Sequence, residues 1–312
     1  MLKNFLRYKV LYFIESIFYN CIYRFFLWKK PKYDKKYRIS IIGIFWNEGP
    51  FLKEWIEYHL MIGVDHFYLY NHKSDDNFQE ILQPYIDKGL ITLVLWEEEH
   101  SQMKAYQDCI NRFKHETQWM VFLDLDEFIC PRNTTDINLW IKDYERYPSI
   151  LIYWKMFGTS GVMKHDYNKL VIEQYKMCME GYLGIRGKCI FNTDYEISNY
   201  TFVTHHYTCV NHKILGINIR VVPISVFKKF IVGTLAYHFL ENPKKASAHI
   251  HHYWSKAWDQ YEMKMNRVDV AHKENPLKDL QYFYDVEEYC TEEELSMFKY
   301  ITKLKLKIAN KI

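Results

Sequence analysis

Short apolar runs alternate with longer amphipathic stretches between residues 39 and 123, and this alternation limits the folds open to the chain. The apolar runs are predicted as buried strands, at 39–45, 64–70, 91–96 and 119–123. The stretches between them place apolar residues on one helical face and are predicted as helices, at 51–62, 77–85 and 101–113. Strand and helix repeated at this spacing predict an α/β fold with a mostly parallel sheet and right-handed crossovers.

Polar segments follow all four predicted strands, at 47–48, 71–76, 97–102 and 124–126. Ligands of open parallel sheets bind at the carboxyl ends of the strands. The four segments are therefore expected to converge on one site.

The segment after the fourth strand carries two carboxylates, Asp124 and Asp126. In an extended chain these two side chains project to the same face, because successive side chains alternate. Two nearby carboxylates repel unless a positive charge lies between them. Mg²⁺ often bridges such carboxylates to a substrate phosphate. This pattern is common by itself, and its position at a strand end is what indicates a site for a metal and a nucleotide diphosphate.

Composition and charge exclude several classes of protein. The seven cysteines of the 312-residue chain are scattered singly, which indicates a reducing compartment and disfavours a disulfide framework or a cysteine zinc site. Residues 1–38 carry ten Lys and Arg against two acids, and residues 295–312 carry five Lys and no acid, so the body between them is acidic. An acidic body argues against nucleic-acid binding. Neither a glycine-rich dinucleotide motif nor a phosphate-loop motif is present, which disfavours those two classes.

The charge pattern divides the chain into three parts. Residues 1–37 are predicted as a basic amphipathic segment, residues 38–270 as the main domain with an insertion at 215–240, and residues 271–312 as a basic helical tail. The N-terminal segment is too short in its uncharged part to cross a bilayer. Its aromatic face and basic surround are typical of a helix lying on a membrane surface, and equally of a helix packed on the protein itself. We expect a cytoplasmic protein held at the inner face of the cell membrane.

The second half is less regular. A helix is predicted at 139–144, strands at 149–157, 171–175 and 188–191, and a flexible turn at 158–161. Three histidines then occur within four positions, and alternation sends His249 and His251 to one face and His252 to the other. Their spacing alone favours hydrogen bonding over metal ligation.

Several of these stretches, in this order, resemble glycosyltransferase family 92 and related bacterial family-2-like enzymes. Residues 44–48, 54–59, 63–76 and 119–128 carry the resemblance most closely. His252 and Tyr253, with Lys256, Lys264 and Arg267, resemble the closing His-Tyr-x-x-Lys motif of that group.

The resemblance implies a GT-A fold, a UDP-sugar donor, a divalent metal (Mn²⁺ or Mg²⁺) and transfer with inversion to a saccharide or lipid-linked acceptor. It assigns Asp124, Asp126 and His252 to the metal, with Asp124 also at the nucleotide. The residues that it places around the nucleotide and its diphosphate are Asn47, Glu48, Asn71, Asp76 and Gln102.

Departure of a diphosphate requires positive charge at the leaving oxygen, for which Lys256 and Arg267 are candidates. The acceptor hydroxyl requires a general base, and Asp166, Glu173 and Glu127 are candidates by their order in the chain. Two alternatives remain open. One is a haloacid-dehalogenase-like phosphatase, which also places Asp-x-Asp at a strand end, and the other is a non-catalytic carbohydrate-binding protein.

Overall fold

The computed structural model describes residues 2–25, 34–99, 101–182, 184, 186–197, 210–214, 216–232, 241–266 and 280–311. The predicted cation Arg267 lies outside these residues.

The first half of the chain forms the predicted parallel sheet. Its four strands are β1 (Tyr37–Phe45), β2 (His66–Asn71), β3 (Ile91–Leu95) and β4 (Thr117–Phe122). The connecting helices are α2 (Gly49–Met61), α3 (Phe78–Asp87) and α4 (Gln102–Phe113). β1 pairs in parallel with both β2 and β4, and β2 pairs in parallel with β3. The carboxyl ends of these strands therefore meet at one edge of the sheet.

The second half completes the same sheet with strands that arrive out of chain order. They are β5 (Glu127–Pro131), β6 (Ser149–Met156), β8 (Gly187–Asn192), β12 (Ile224–Ser225) and β13 (Ala248–His252). The order across the sheet is β3-β2-β1-β4-β8-β6-β13-β5, with β12 beside β6. β8 is antiparallel to β4 and β6, and β5 is antiparallel to β13, while the other pairs are parallel. The result is the predicted mixed, mostly parallel sheet.

Helices cover both faces of the sheet because the apolar residues of its strands alternate between two cores. Ile41 of β1 packs in the core shared with α2 and α3, and its neighbour Ile42 packs in the core shared with α4. Both side chains are fully buried. This layering confirms the predicted α/β class.

The remaining elements are short or lie at the ends of the chain. The helices are α1 (Leu2–Phe25), α5 (Ile137–Lys142), α6 (Val171–Gln174), α7 (Trp258–Asn266), α8 (Leu280–Tyr289) and α9 (Phe298–Ile308), with a 3-10 turn at Pro243–Lys245. The small strands are β7 (Met177–Cys178), β9 (Glu196–Ile197), β10 (Val210–Ile214), β11 (Ile217–Val221) and β14 (Glu292–Glu293). β9 to β11 form a separate sheet, and β14 pairs with β7.

Two segments of the second half differ from, or go beyond, what the sequence predicts. The strand predicted at 171–175 is wrong, because the segment forms α6, whose first backbone N–H groups donate to the buried carboxylate of Glu54. The insertion predicted at 215–240 stays a prediction, since only 216–232 of it is described. Within that part, Ile224–Ser225 joins the main sheet as β12.

Helices are found at both ends of the chain. α1 contacts the body through Ile22 and Tyr23, which are 4% exposed, and the Tyr23 hydroxyl donates to the Val222 carbonyl. α9 packs along α2, and its Tyr300 ring meets the Tyr58 ring edge to face. Among the described helices, none combines the length and apolar character that crossing a membrane requires.

Candidate active site

A tight turn directly after β4 presents the two aspartates. The backbone N–H of Glu127 donates to the Asp124 carbonyl at 3.0 Å, and the Glu127 carboxylate accepts from the Asp124 N–H at 3.1 Å. Leu125 points inward and is 4% exposed. The chain then returns into the sheet as β5, so Asp124 and Asp126 are fixed at the carboxyl edge.

Asp124 contacts a buried lysine. Nζ of Lys188 lies 2.8 Å from Oδ2 of Asp124 and 3.6 Å from Oε2 of Glu127. Burial would lower the pKa of Lys188, but the charges of Asp124 and Glu127 outweigh burial and raise it. Burial raises the pKa of Glu127 well above its ordinary value, and Lys188 opposes this only in part. Lys188 is therefore a fixed cation beneath this turn, residues 124–127, which we call the acidic turn.

Two side chains of helix α4 contact the other carboxylate oxygen of Asp124. Nε2 of Gln102 lies 3.2 Å from Oδ1, and the Tyr106 hydroxyl lies 3.3 Å from the same oxygen. The two side chains also contact each other, because residues four apart lie on one face of a helix. Gln102, predicted near the diphosphate, is thus beside the acidic turn.

Asp126 lies between a lysine and a histidine. Nζ of Lys264 is 2.7 Å from Oδ2, and Nε2 of His252 is 3.4 Å from Oδ1. Burial would raise the pKa of Asp126, but Lys264 and His252, together with the charge of Lys256, hold it well below its ordinary value. Asp126 is therefore an anion at neutral pH.

The sheet order explains how His252 reaches Asp126 from the far end of the sequence. β13 lies between β5 and β6, which places His252 directly opposite Glu127. The N–H of Tyr253 then donates to the Asp126 carbonyl at 2.8 Å. The two motifs that carried the family resemblance thus meet in space.

The predicted nucleotide residues form a second group, at the ends of β1 and β2. The Asn47 side chain donates to Asp75 at 2.7 Å, and the Asp76 carboxylate accepts from the N–H of Gly49 at 2.7 Å. Asn71 accepts from the N–H of Ser74. These bonds tie the turn after β1 to the turn after β2, so Asn47, Asn71 and Asp76 belong to one rim.

Lys256 joins this rim from the turn after β13. Its Nζ lies 3.6 Å from Oε2 of Glu48 and 4.2 Å from the centre of the Phe51 ring, and the side chain is 1% exposed. Its backbone φ of 54° is unusual for a residue other than glycine. Lys256 therefore connects the rim to the acidic turn, where its charge acts on Asp126.

The predicted base candidates are in three different settings. Glu127 is fully buried beneath the acidic turn. Glu173 forms an ion pair with Lys305 of α9 at 2.6 Å, and Asp166 is a partly exposed side chain paired with Lys169 at 3.5 Å. Which of them serves as a base stays a prediction.

Lys188 and Tyr106 were not identified from the sequence. The β4–β8 register pairs Val121 with Ile190, and continuing it in the antiparallel sense brings Lys188 beside the residue before Asp124. The one signal in the sequence is a lysine within an otherwise apolar predicted strand. Tyr106 could have been found from its spacing to Gln102 on the same helical face.

Asp126 and His252 fit a divalent cation. Two ligands on an octahedral Mg²⁺ lie about 3 Å apart, and the closest oxygen and nitrogen here are 3.4 Å apart. The ring nitrogen that faces Asp126 is Nε2, while Nδ1 is buried without a hydrogen-bond partner among the described residues. Within the described part of the chain, Asp124 does not join the other two in a compact three-ligand group. Its place in a metal shell stays a prediction.

Comparison with known proteins identifies the class. Residues 35–282 match the model of glycosyltransferase family 92. Because this match covers most of the chain, the protein belongs to glycosyltransferase family 92, and the family resemblance seen in the sequence is confirmed.

Curated relatives match over shorter stretches. A glycosyltransferase family 92 protein of Oryza sativa subsp. japonica is 33% identical over 144 residues, 43% of this chain and 24% of the relative. One from Arabidopsis thaliana is 33% identical over 101 residues, 32% of this chain and 18% of the relative. Galactan beta-1,4-galactosyltransferase GALS3 of A. thaliana is 30% identical over 141 residues, 41% of this chain and 28% of the relative. The chain thus matches less than a third of each relative's length.

Solved structures show partial likeness. S. aureus TarS 1-349, in complex with UDP-GlcNAc, has a TM-score of 0.36 at 16% identity, covering 50% of this chain and 45% of that one. The mannosyltransferase PcManGT from Pyrobaculum calidifontis, in complex with GDP-Man and Mn²⁺, has a TM-score of 0.31 at 18% identity. The match covers 47% of this chain and 46% of that one.

Proposed function

We propose that this protein is a metal-dependent, inverting glycosyltransferase that moves a sugar from a UDP-sugar to a saccharide or lipid-linked acceptor. The observation that carries the proposal is the 3.4 Å approach of His252 to Asp126 at the carboxyl edge of the sheet. Ligands of open α/β sheets bind at this edge. Membership of glycosyltransferase family 92 supports sugar transfer over phosphate-ester hydrolysis and over sugar binding without catalysis.

In this proposal Asp126 and His252 hold Mn²⁺ or Mg²⁺, with Asp124 contributing as the donor binds. The bound metal would neutralise charge on the leaving diphosphate. Lys264 already pairs with the Asp126 carboxylate at 2.7 Å, so it would add to the positive charge that a metal supplies there. The rim formed by Asn47, Asn71 and Asp76 would receive the nucleoside.

Fixed cations supply the rest of the charge. Lys256 is buried next to Glu48, and Lys188 is buried beneath Asp124. Preorganised charges of this kind stabilise a developing anion without reorganising during the reaction. Lys256 would act at the donor phosphates, and Lys188 would hold the Asp124 carboxylate in place.

Inversion requires a base on the acceptor side of the donor sugar. Of the candidates, Asp166 is the most accessible, since its side chain is 40% exposed and its partner Lys169 is on the surface. Glu173 would first have to leave Lys305. We propose Asp166 for the base role because it is the most exposed of the three carboxylates.

We further propose that α1 holds the protein on the cytoplasmic face of the cell membrane, close to a surface-glycan acceptor. Large apolar side chains of α1 point away from the body, with Phe13 65% exposed and Phe18 52% exposed. Arg7, Lys9 and Arg24 are exposed on the same helix. Apolar and basic side chains together are typical of a helix that lies on anionic lipid.

The experiment is a UDP-release assay with single UDP-sugars and a panel of oligosaccharide acceptors, with and without Mn²⁺. UDP-galactose is tested first, because GALS3 is named as a galactosyltransferase. Acceptor-dependent UDP release that disappears after metal removal is expected, and NMR of the product should show the anomeric configuration opposite to the donor.

Variants connect the activity to the site. Asp126→Asn and His252→Ala are expected to lower turnover by at least about a hundredfold while remaining folded by circular dichroism. Asp285→Asn, at an exposed aspartate of α8, is the matched control and should retain full activity. Full turnover by Asp126→Asn, or phosphate release from a simple phosphoester without sugar transfer, would overturn the proposal.

A further inference from the structure

The face of β13 opposite His252 carries a second cluster of possible ligands. His249 and His251 are 1% and 0% exposed, and the half-buried Glu294 approaches them from the segment after β14. One ring nitrogen of each histidine and one carboxylate oxygen of Glu294 lie within 4.8 Å of one another. Among the described residues, this is the one compact group of three such side chains.

His249 is held in a form suited to metal binding. Its Nε2 lies 3.0 Å from the Pro243 carbonyl, which can only accept, so Nε2 carries the proton. Nδ1 is then unprotonated, and it is buried without a hydrogen-bond partner among the described residues. Metal-ligating histidines commonly donate their other ring N–H to a backbone carbonyl in this manner.

His251 makes only weak contacts. Its Nδ1 is 3.4 Å from the Tyr253 hydroxyl, and its Nε2 is 3.4 Å from the Ser296 hydroxyl. Both distances are at the long end for hydrogen bonds to a hydroxyl. A fully buried imidazole with two long contacts can form a shorter bond to a cation at little cost.

Nearby cations are already engaged by other groups. Lys155 Nζ lies 3.6 Å from Glu292 and donates to the Glu180 carbonyl at 3.1 Å. Arg132 donates to the Pro243 and Lys244 carbonyls. Glu294 accepts from the Ser296 N–H at 2.9 Å and interacts with the Ser296 hydroxyl, which leaves part of its carboxylate for another partner.

A cavity of about 400 Å³ adjoins the cluster and is lined by His249, Glu294 and Lys155, among others. It is large enough for water to reach the cluster. An ion could therefore enter and keep a water as its fourth ligand.

We propose that His249, His251 and Glu294 bind a zinc ion that fastens the C-terminal segment to β13. Tetrahedral Zn²⁺ with ligands at about 2.0–2.1 Å places them about 3.4 Å apart. The observed ligand atoms lie within 4.8 Å of one another, so the cluster would contract by at most about 1.4 Å to close the site. The scattered cysteines do not bear on it, because two imidazoles, one carboxylate and a water form a complete zinc shell.

The zinc ion would affect the active site only by fixing the position of strand β13. His251 and His252 are neighbours on β13 with side chains on opposite faces, so the two metal sites are separate. Zinc here would fix the strand that carries His252.

Zinc content measured by mass spectrometry after dialysis tests the proposal. Both proteins compared carry Asp126→Asn and His252→Ala, which removes the proposed catalytic metal. The protein with only these changes should retain about one zinc per chain, and adding Glu294→Gln should lower this to below about a tenth. Because Glu294 is half-buried, its substitution is expected to leave the fold intact, which circular dichroism checks.

A second measurement uses the same two proteins. A chelator should lower the apparent melting temperature of the protein that keeps Glu294 and leave that of the protein with Glu294→Gln unchanged, since only a bound ion contributes stability by mass action. Equal zinc content with and without Glu294→Gln, or less than about half an ion per chain in both, overturns the proposal.

Discussion

Nζ of Lys188 lies 2.8 Å from Oδ2 of Asp124, and the lysine side chain has no exposed surface. The same amine is 3.6 Å from Glu127, whose side chain is equally buried. One buried cation thus lies under two carboxylates, and the stability of the acidic turn depends on it.

Lys188→Met is expected to destabilise the protein by about 3–5 kcal/mol, because it leaves the buried Glu127 and the partly exposed Asp124 without their cation. Urea unfolding measures this change. Lys104→Met is the control, since Lys104 is 71% exposed in its pair with Glu98 and should cost less than about 1 kcal/mol. Adding Glu127→Gln to Lys188→Met should recover part of the loss. Equal losses for the two lysine variants would contradict the prediction.

Gly187→Ala is expected to destabilise the protein by about 1–3 kcal/mol through overpacking. A Cβ at Gly187 would overlap the Ile152 carbonyl oxygen, which is backbone of the neighbouring strand β6 and cannot move alone. Thermal unfolding provides the measurement. Gly181→Ala, where a Cβ meets no atom of the described residues within 4 Å, should change stability by less than about 0.5 kcal/mol. A Gly187→Ala protein as stable as Gly181→Ala would show that β8 tolerates displacement.

Stability should fall on acidification because of His59. Burial lowers the pKa of His59 to about 3, from an ordinary 6.5. Below pH 6.5 the unfolded chain binds a proton that the folded protein does not, so unfolding is favoured by about 1.4 kcal/mol per pH unit until pH 3. This contribution is fully present above pH 6.5 and is lost as pH falls.

The measurement is the free energy of unfolding between pH 7 and pH 4.5. His59→Gln keeps a donor and an acceptor near the Trp55 carbonyl and the Ile129 N–H but does not titrate, so its slope should be shallower than that of the wild type. His115→Gln, at a side chain 72% exposed, should keep the wild-type slope. Identical slopes for His59→Gln and wild type would refute the assignment.

Membrane association should depend on the outward side chains of α1. Phe13→Ser with Phe18→Ser is expected to reduce co-sedimentation with anionic vesicles by at least about tenfold, because both rings would otherwise enter the lipid. Leu139→Ser with Met163→Ser is the control, since these side chains are 52% and 67% exposed elsewhere on the surface. The same loss in both double variants would argue against an α1 contact with lipid.

Local pattern was sufficient to predict the parallel half of the fold. Strands β1 to β4 are continuous apolar runs followed by polar turns, so both their existence and the location of the site follow from sequence. α6 was predicted as a strand because Val171 and Ile172 favour strands locally. Its helical turn depends on Glu54, a residue more than 100 positions away that accepts its first N–H groups.

The partners within the site are harder to predict because they depend on sheet order. His252 was assigned through family resemblance, and its contact with Asp126 arises from the insertion of β13 between β5 and β6. Lys188 depends on an antiparallel register that no local pattern specifies. The sequence thus indicates which residues lie at the carboxyl edge of the sheet, but not which of their side chains contact one another.

The position of β13 also affects the order in which the protein can be assembled. β5 and β6 are made early and have no direct pairing with each other, since β13 lies between them. Until residues 248–252 emerge from the ribosome, both strands present open edges that could pair with other chains. Nascent chains should therefore depend on chaperones until β13 is inserted, and substitutions that weaken β13 should lower soluble yield before they change the stability of the finished protein.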